Sequence, residues 1–481
     1  MSGHVIAVDL GAESGRVMRV SLSEKGFALE EAHRFPNNPV MANGTLYWDA
    51  LRLWHEIQQG VHASVLGAKS IGVDAWGVDY ALLDTHQQLI SNPIHYRDQR
   101  VNGVMERVFQ KVSKREIFEH TGLQFLSFNT LYQVMSRLET ASPLMDAVAH
   151  YVSVPDLFNF WLTGEITNEF THATTTQFFN PRTGTWAGEL MAKLDIPAHW
   201  FGDILQPGQQ CGSYQKIPVI LPAAHDTGSA VVAVPTTTKD YAYISSGTWS
   251  LIGLEIPTPI VTEDVFQANL TNEGGVENTY RLLRNVMGLW LAQQSRNAWR
   301  AEGKDYSYAE LATLAASAEP LSAFIDPDDP RFLTPGDMPA RIREFCHSTG
   351  QGDIQEVGAV MRVIYESLAF KYRLLLEKLH RVSGQPINRI HVIGGGANNA
   401  LLCQLTADAS NLPVIAGPAE GTTLGNAIVQ LIALGELGSL AEARALLQKT
   451  IQTVTYMPHH SPQWDDAYER FKAIVTTDAV V

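Results

Sequence analysis

The stretch Val5 to Leu22, VIAVDLGAESGRVMRVSL, contains a strand, a glycine turn and a second strand. Val5 to Leu10 is short, mostly apolar and includes β-branched residues, which is typical of a buried strand, and Gly11 ends it. After the turn AESG, Arg16 to Leu22 regains extended character. The stretch therefore predicts a β-hairpin with a carboxylate, Asp9, directly before the turn.

A second unit of the same kind lies near the middle of the chain. Tyr241 to Ser246 predicts a strand that turns at Gly247, and Trp249 to Ile256 predicts the returning strand. About half the chain separates the two turn glycines, and this spacing suggests two lobes of similar plan.

The polar, proline-led stretch PTTTKD, Pro235 to Asp240, separates the two hairpins. Such a composition is typical of a domain boundary. We therefore expect an N-terminal lobe over 1–235, a C-terminal lobe over 241–455 and a tail over 456–481. In the tail, Ser461 and Pro462 predict the start of a closing helix that continues to Val475.

The remaining chain alternates predicted strands and helices, which indicates an α/β fold. The further predicted strands are Ser70–Asp74, Ala149–Val154, Pro218–Leu221, Arg389–Ile393 and Val414–Ala416. The predicted helices are Ala50–Leu66, Gln99–Val112, Val357–Val382, Asn399–Ser410 and Thr423–Leu434.

The composition excludes several classes of protein. With 481 residues, 45% of them hydrophobic and 18% charged, the chain is typical of a globular protein rather than of disordered, collagenous or coiled-coil chains. A net charge of −15 argues against a broad basic surface for nucleic acid. The chain has neither an apolar run of membrane-spanning length nor a leader pattern. Cys211, Cys346 and Cys403 are too scattered for a disulfide scaffold or a cysteine-rich zinc site, so we expect a cytoplasmic protein.

Two glycine turns are candidate phosphate sites. In Asp9 to Arg16, DLGAESGR, small residues let backbone N–H groups face an anion, and Arg16 can neutralise it. Ser245 to Thr248, SSGT, offers hydroxyl and backbone donors, so the two turns could hold a polyphosphate from opposite lobes. The alternative is that both are ordinary hairpin turns, with Arg16 facing solvent.

The octapeptide AAHDTGSA, Ala223 to Ala230, places Asp226 after a predicted strand and before a predicted apolar helix. A partly desolvated carboxylate at this position could accept a proton from a substrate hydroxyl during phosphate transfer. The alternative is that Asp226 or Thr227 caps the helix, and both interpretations can hold together.

The segment IHVIGGGANNALL, Ile390 to Leu402, predicts a strand, a flexible turn and a helix start suited to a flat or phosphorylated ligand. Asn399 stands where a dinucleotide fingerprint requires glycine or alanine, so a Rossmann dehydrogenase fits poorly. The chain also lacks a P-loop and the paired histidines of a zinc protease.

The segment GVDAWGVD, Gly72 to Asp79, and the downstream YRDQR, Tyr96 to Arg100, combine aromatic rings with carboxylates. Such a surface suits a sugar, which has apolar C–H faces and hydroxyls that need donors and acceptors. The alternative is that Trp76 belongs to the core and that Arg97 and Asp98 form a surface ion pair.

Taken in order, these motifs resemble the FGGY carbohydrate kinases, a branch of the actin-like ATPase superfamily. The resemblance covers nearly the whole chain and rests on DLGAESGRVM, GVDAWGVD, FNTLYQ, ATTTQ, HDTGSA, SSGTWSL, NEGG and NVMGLWL. It implies two ribonuclease-H-like lobes around a central cleft, with ATP and Mg²⁺ as cofactors. Within the family, these motifs are most similar to the branch that phosphorylates L-rhamnulose at O1.

The resemblance also implies roles for individual residues. Asp226 is expected to be the catalytic base, and Asp9 is expected to lie near Mg²⁺ through water. Expected ATP contacts are Ala12, Glu13, Ser14, Gly15 and Arg16 at the phosphates, and Thr248, Gln293 and Gly395 along the nucleotide. Expected sugar contacts are Gly77, His225, Asp226, Thr227 and Asn285, the last at the start of a helix NVMGLW. The departures are small: Gly228 stands where alanine is common, and Glu13 where serine is common.

Two alternatives remain open at this stage. Another kinase of the family, acting on fuculose, xylulose or glycerol, would share these motifs. A non-enzymatic actin-like ATP-binding protein would need no sugar pocket, and the HDT triplet and the segment Asp74 to Asp79 argue against it. For a 6-deoxy ketose, we expect Trp76 or Phe128 to meet the methyl end of the sugar.

Overall fold

In a computed structural model, which describes residues 3–459 and 461–475, the chain divides into two compact units. The first unit consists of Met1–Thr237, Glu255–Leu282 and Gly421–Ile451, and the second consists of Thr238–Leu254, Leu283–Glu420 and Gln452–Val481. The first division, after Thr237, lies inside the stretch that we predicted to separate the lobes. Because two later segments also belong to the first unit, the lobe limits 1–235 and 241–455 stay a prediction.

The first unit contains a six-stranded sheet, and its first hairpin is the one predicted from the sequence. The strands lie in the order Gln210–Tyr214, Ile217–Ile220, Ala68–Ala75, His4–Leu10, Ser14–Ser23 and Gly26–Pro36. His4–Leu10 is antiparallel to Ser14–Ser23 and parallel to Ala68–Ala75. Ile217–Ile220 is parallel to Ala68–Ala75 in turn.

The second unit repeats this arrangement. Six neighbouring strands lie in the order Tyr280–Met287, Trp249–Ile256, Tyr241–Ser246, Arg389–Ile393, Val414–Ala416 and Val454–Tyr456. Tyr241–Ser246 is antiparallel to Trp249–Ile256 and parallel to Arg389–Ile393. An antiparallel hairpin extended by parallel strands thus occurs twice, as the two glycine turns predicted.

Helices alternate with the strands along the chain in both units. The shorter strands form two-stranded sheets, except Thr271–Gly274, which pairs with Tyr280–Met287 as a seventh strand at that edge of the sheet. The longer helices are Ala50–Ser64, Val104–Lys111, Lys114–Thr121, Thr130–Leu138, Val154–Thr163, Trp290–Ala301, Tyr308–Ser317, Met338–Ser348, Val357–Ser383, Ala400–Ser410, Gly421–Ala433, Leu440–Thr450 and Pro462–Ile474. Shorter helices are Phe170–Ala173, Gly188–Lys193, Asp226–Val232 and Glu263–Gln267. Further strands are Val40–Ala42, Thr45–Tyr47, Tyr80–Asp84, Val148–Ser153, Asn168–Glu169, Phe179–Asn180, Thr185–Trp186, Ile204–Leu205 and Thr271–Gly274.

One predicted helix is wrong as a single element. The segment Gln99–Val112 contains a short 3₁₀ turn, Gln99–Val101, and a separate helix, Val104–Lys111. Gly103 lies between them with φ of 71°, in the left-handed region that interrupts a right-handed helix. The other predicted helices and strands are present with ends shifted by a few residues at most.

Helix Gly421–Ala433 explains why a late segment belongs to the first unit. Ala427 and Ile428 of this helix belong to one buried apolar cluster with Val5, Ala7 and Val232. A side chain at Gly425 would overlap the backbone carbonyl of Ser229, so glycine is required for this close approach. The helix therefore supplies polar side chains to the carboxyl ends of the first unit's parallel strands.

Candidate active site

Asp9 and Arg16 are paired across the first hairpin. They are partners in the strand register, and the Nε and Nη2 atoms of Arg16 donate to Oδ2 of Asp9 over 3.0 and 2.7 Å. The same oxygen accepts from Oγ1 of Thr423 at 2.9 Å, from helix Gly421–Ala433. The guanidinium predicted to neutralise a phosphate is thus bound to a buried carboxylate of its own chain.

The turn between the two strands is held by backbone and side-chain hydrogen bonds. The N–H of Gly11 donates to the carbonyl of Ser14 at 2.9 Å, and Nδ2 of Asn37 donates to the carbonyl of Gly11 at 2.9 Å. Glu13 and Ser14 are exposed, whereas Gly15 is buried where a side chain would overlap the ring of Phe35. Glycine is therefore required at position 15 by packing against Phe35. The phosphate contacts predicted for Ala12 to Arg16 stay predictions.

Asp74 is a site carboxylate that the sequence analysis missed. It is the register partner of Asp9 on the neighbouring parallel strand, and Nδ2 of Asn426 donates to its Oδ2 at 2.5 Å. Within the described residues, its buried Oδ1 has no hydrogen-bond partner. Its place at the carboxyl end of a predicted strand in GVDAWGVD was the available signal.

Asp74 and Asp226 lie close enough to Asp9 for their charges to interact. Burial raises the pKa of Asp74 well above its usual range, and the negative charges of Asp9 and Asp226 add to the shift. Burial also raises the pKa of Asp226. The charge of His225 opposes this shift, and the negative charge of Asp9 adds to it. The first unit therefore gathers three carboxylates, and the pKa values of two of them, Asp74 and Asp226, are raised above that of an exposed aspartate.

Asp226 is the first residue of helix Asp226–Val232 and is close to the end of the central strand. The N–H of Ala75 donates to the carbonyl of Ala224 at 2.9 Å, which ties strand Ala68–Ala75 to the HDT triplet. Oδ1 of Asp226 accepts from the N–H of Thr227 at 2.5 Å, yet the side chain is 28% exposed. The cap position belongs to His225, which makes no side-chain cap hydrogen bond, so the expectation that Asp226 or Thr227 caps the helix is wrong. The carboxylate of Asp226 reaches solvent, and its role as the catalytic base stays a prediction.

Gly77 and His225 lie against each other beside Asp226. A Cβ atom at Gly77 would lie 3.1 Å from Nε2 of His225, so glycine leaves room for the imidazole ring. Nε2 of His225 is 3.5 Å from Oδ1 of Asp226. The first unit therefore brings together four of the predicted sugar-binding residues, which are Gly77, His225, Asp226 and Thr227.

Trp76 belongs to a buried aromatic cluster. The indole N–H groups of Trp48 and Trp76 donate to Oδ2 of Asp79 at 2.5 and 3.0 Å, and the two rings are 4.2 Å apart. Burial raises the pKa of Asp79 to about 6 although these hydrogen bonds oppose the shift. Because Trp76 is only 5% exposed and Phe128 only 8%, either could offer a sugar no more than an edge.

Asp98 is buried and is not a surface group. Its carboxylate accepts from the backbone N–H of Leu46 at 2.7 Å and from that of Arg100 at 2.9 Å. The guanidinium of Arg97 lies over the ring of Tyr96, 5.2 Å from its centre. Asp98 therefore braces the loop that carries the aromatic residues.

In the second unit, the predicted nucleotide residues surround the second hairpin turn. The carbonyl of Thr248 accepts from the N–H groups of Gly288 and Trp290, each at 3.1 Å, so the turn contacts the start of helix Trp290–Ala301, which carries Gln293. A side chain at Gly396 would overlap Oγ of Ser246, while a Cβ atom at Gly395 meets nothing within 4 Å. The open backbone at Gly395 leaves space for a close ligand.

Asn285 does not start a helix, contrary to the expectation. It lies in strand Tyr280–Met287 and is partly buried, and the helix begins at Trp290. The strand continues through NVM to Met287, and Gly288 lies between the strand and the helix. Its predicted contact with the sugar stays a prediction.

Cys211, Cys346 and Cys403 are buried and free. Across residues 3–459 and 461–475, no helix has the length and apolar character that crossing a membrane requires. The same residues contain no group of three or more histidine, cysteine, aspartate or glutamate side chains arranged to hold a metal ion.

Two family models match almost the entire chain. The N-terminal domain of the FGGY family of carbohydrate kinases matches residues 4–240, and its C-terminal domain matches residues 242–434. The chain belongs to this family. As an FGGY carbohydrate kinase it is an enzyme, and kinases of this family use ATP.

Curated relatives of this FGGY kinase cover its full length. It is 41% identical to the rhamnulokinase of Bacteroides thetaiotaomicron over 99% of the chain and 100% of the relative. It is 42% identical to the rhamnulokinase of Pectobacterium atrosepticum over 98% of the chain and 96% of the relative.

Solved structures confirm the fold class. A ligand-bound xylulose kinase from Lactobacillus acidophilus superimposes with a TM-score of 0.79 at 16% identity, over 98% of this chain and 97% of the other. A glycerol kinase with ADP from Plasmodium falciparum gives a TM-score of 0.76 at 16% identity, over 98% of both chains. The FGGY kinase therefore has the actin-like ATPase fold that the resemblance implied.

Proposed function

We propose that this carbohydrate kinase transfers the γ-phosphate of ATP to O1 of L-rhamnulose, giving L-rhamnulose 1-phosphate and ADP in L-rhamnose breakdown. The observation that carries the proposal is the identity of 41 and 42% with two rhamnulokinases over nearly the full length of each chain. The motifs shared with this branch span both units, so the likeness is not confined to one domain. We place the reaction in the cytoplasm, without nucleic-acid or membrane partners.

Asp226 has the surroundings of a general base for this transfer. Its carboxylate is partly exposed, and its raised pKa makes it a better proton acceptor than an exposed aspartate. In the proposed reaction it accepts the proton of the primary hydroxyl at O1 as that oxygen attacks the γ-phosphate. Most of the remaining catalysis in such transfers comes from positioning and electrostatic stabilisation.

Mg²⁺ fits the carboxylates of the first unit through water. Magnesium usually keeps several water ligands and is held by one or two carboxylates and by substrate phosphates, so a complete protein cage is not needed. Asp9 and the unpartnered Oδ1 of buried Asp74 are the residues that would hold its water shell. When bound, Mg²⁺ neutralises charge on the transferred phosphate.

The nucleotide is proposed to contact both hairpin turns. Ala12 to Arg16 are the candidate phosphate contacts in the first unit. Thr248, Gln293 and Gly395 are the candidate contacts in the second unit, where the open backbone of Gly395 leaves space for a close approach.

The sugar is proposed to bind at Gly77, His225, Asp226, Thr227 and Asn285. Loss of a hydroxyl that a site is built to bond can cost orders of magnitude in specificity, whereas loss of a methyl group costs about 1 to 3 kcal/mol. Ketoses that differ from L-rhamnulose should therefore be slow but detectable substrates.

The test is a coupled ADP-release assay with L-rhamnulose, L-fuculose, D-xylulose and glycerol. L-rhamnulose should give the highest kcat/KM, and NMR of the product should place the phosphate on O1. A clear preference for another substrate would be compatible with a carbohydrate kinase but would contradict L-rhamnulose as its substrate. ADP release without any phosphorylated sugar, or no ADP release with any of the four substrates, would contradict the proposed transfer.

A further inference from the structure

Glu273 of the NEGG motif and Arg281 form a buried ion pair beside the ring of His225. Nδ1 of His225 lies 3.2 Å from Oε2 of Glu273 and 3.2 Å from Nη2 of Arg281, and these two atoms are 3.4 Å apart. The side chains of Glu273 and Arg281 are 5% and 1% exposed. Both side chains contact the ring of His225, so they can influence the reaction through it.

Both the ring and the backbone of His225 are held in place. Nε of Arg281 donates to the carbonyl of Gly274 at 2.8 Å, which fixes the guanidinium behind the ring. The N–H of Gly274 donates to Oγ1 of Thr174 at 2.7 Å, and the N–H of His225 donates to Oγ1 of Thr171 at 3.1 Å. The short segment that contains Thr171 and Thr174 thus sets the position of the HDT triplet and of the NEGG motif together.

The chemistry of the guanidinium favours one position for the proton of the His225 ring. Arginine has only N–H donors and no acceptor, so its hydrogen bond to Nδ1 of His225 requires that Nδ1 be the acceptor. In a neutral imidazole the proton then resides on Nε2. Oε2 of Glu273 lies as close to Nδ1, and the opposite neutral tautomer would donate to it. Arg281 lies 3.4 Å from that oxygen and neutralises its charge, which weakens Glu273 as an acceptor for Nδ1.

We propose that Arg281 and Glu273 are positioning residues that hold His225 as its Nε2–H tautomer, so that an N–H donor faces the carboxylate of Asp226. The distance from Nε2 to Oδ1 of Asp226 is 3.5 Å, and Gly77 keeps the space beside Nε2 free of a side chain. The donor favours the ionised carboxylate, which is the form that can accept a proton. This inference rests on the proposed function only for the role of Asp226.

The other histidine near the ring does not compete for this role. The rings of His172 and His225 are 6.4 Å apart, and Nε2 of His172 is 3.1 Å from the carbonyl of Trp76. Burial and the neighbouring His225 lower the pKa of His172 to about 3, so it is neutral near pH 7. Among the described residues, charged groups that interact with His225 or Asp226 include Glu273, Arg281, Asp9 and Asp74.

Nitrogen NMR of the full chain tests the tautomer directly. In protein labelled with ¹⁵N-histidine, the signals of His225 are identified by their loss in His225→Gln, and long-range ¹H–¹⁵N correlations report the protonated nitrogen. We expect the Nε2–H pattern in the wild type and in Glu273→Gln, and a shift toward Nδ1–H in Arg281→Met, where Nδ1 can donate to Glu273. An Nδ1–H pattern in the wild type, or no change in Arg281→Met, overturns the proposal.

Kinetics separate a positioning role from loss of stability. Arg281→Met should lower kcat/KM for the sugar by roughly tenfold to a hundredfold, as for outer partners of other functional histidines, with KM for ATP within about twofold of wild type. Arg281→Lys, which keeps a cationic donor, should recover part of the loss and also serves if Arg281→Met does not fold. An equal loss in both variants contradicts the proposal.

Arg362 provides the matched control, because it forms another buried pair, with Nε donating to Glu366 at 2.6 Å. Arg362→Met should lower the Tm by a comparable amount and leave both the tautomer of His225 and the sugar kinetics unchanged. The two proposals fail independently: the NMR pattern does not depend on which sugar is phosphorylated, and substrate preference does not depend on the tautomer.

Discussion

Asp9 and Arg16 form a two-pronged ion pair across the first hairpin, with the guanidinium nitrogens 3.0 and 2.7 Å from one carboxylate oxygen. The side chains are 8% and 17% exposed, so the pair is largely shielded from water. Arg16 also lowers the proton affinity of Asp74, the register partner of Asp9. The guanidinium of Arg16 therefore balances negative charge on the carboxylates of the site.

Arg16→Met should destabilise the protein by about 2 to 4 kcal/mol at pH 8, because it leaves a buried carboxylate without its partner. The loss should be smaller at a lower pH, for which we choose pH 5, because the pKa of Asp74 is raised and its protonation relieves the repulsion with Asp9. Urea unfolding at the two pH values measures both effects. Arg19 lies on the same strand as Arg16 and forms a more exposed ion pair with Glu30 of the next strand, so Arg19→Met should cost less than about 1 kcal/mol. Equal costs for the two variants would contradict the prediction.

Asp226→Asn should keep the fold and sugar binding but lower kcat by roughly a hundredfold or more, as expected for loss of a general base. In the wild type, kcat/KM should fall on the acidic side as Asp226 becomes protonated. Because its pKa is raised, this limb should lie above the usual range of aspartate. Steady-state kinetics from pH 4 to 9 test the sign, with exposed Asp203→Asn as the control. A folded Asp226→Asn enzyme with near-wild-type turnover would remove the residue from this role.

Gly395→Ala and Gly396→Ala should change different properties, the KM for ATP and the stability of the fold, respectively. A side chain at Gly396 overlaps Oγ of Ser246, so Gly396→Ala should cost about 1 to 3 kcal/mol of stability. A Cβ atom at Gly395 meets no atom within 4 Å, so Gly395→Ala should keep its Tm but raise KM for ATP if the nucleotide approaches there. Thermal unfolding and ATP titration distinguish the two, and an unchanged KM in Gly395→Ala would exclude Gly395 from the nucleotide site.

Glu169 should make the protein less stable as the pH rises from about 5 to 8. Burial raises the pKa of Glu169 to about 8, so the folded state keeps a proton that the unfolded chain loses near pH 4.5. Because the folded state then binds more protons, unfolding becomes easier by up to roughly 4 kcal/mol over this interval. Glu169→Gln mimics the protonated form and should remove this part of the pH dependence, measured by urea unfolding. The exposed Glu165→Gln should retain it; parallel curves for wild type and Glu169→Gln would refute the assignment.

The local sequence was sufficient to predict both hairpins and most of the helices. Each hairpin is specified by an apolar run of strand length and a glycine turn, which are properties of neighbouring residues. The order of the motifs was also sufficient to identify the family, because that order is a property of the linear sequence. The helix over Gln99–Val112 was wrong because Gly103 adopts a left-handed conformation, which composition alone does not reveal.

Only the tertiary structure decided which distant residues complete the site. Asn426 donates to the carboxylate of Asp74. Glu273 and Arg281, which lie on strands that follow His225 along the chain, contact the ring of that histidine. Gly15 and Arg16 proved to have partners within the protein, the ring of Phe35 and the carboxylate of Asp9. The physical reason is that the proton affinity and orientation of a buried polar group depend on all charges and donors around it, and folding brings most of these from remote parts of the chain.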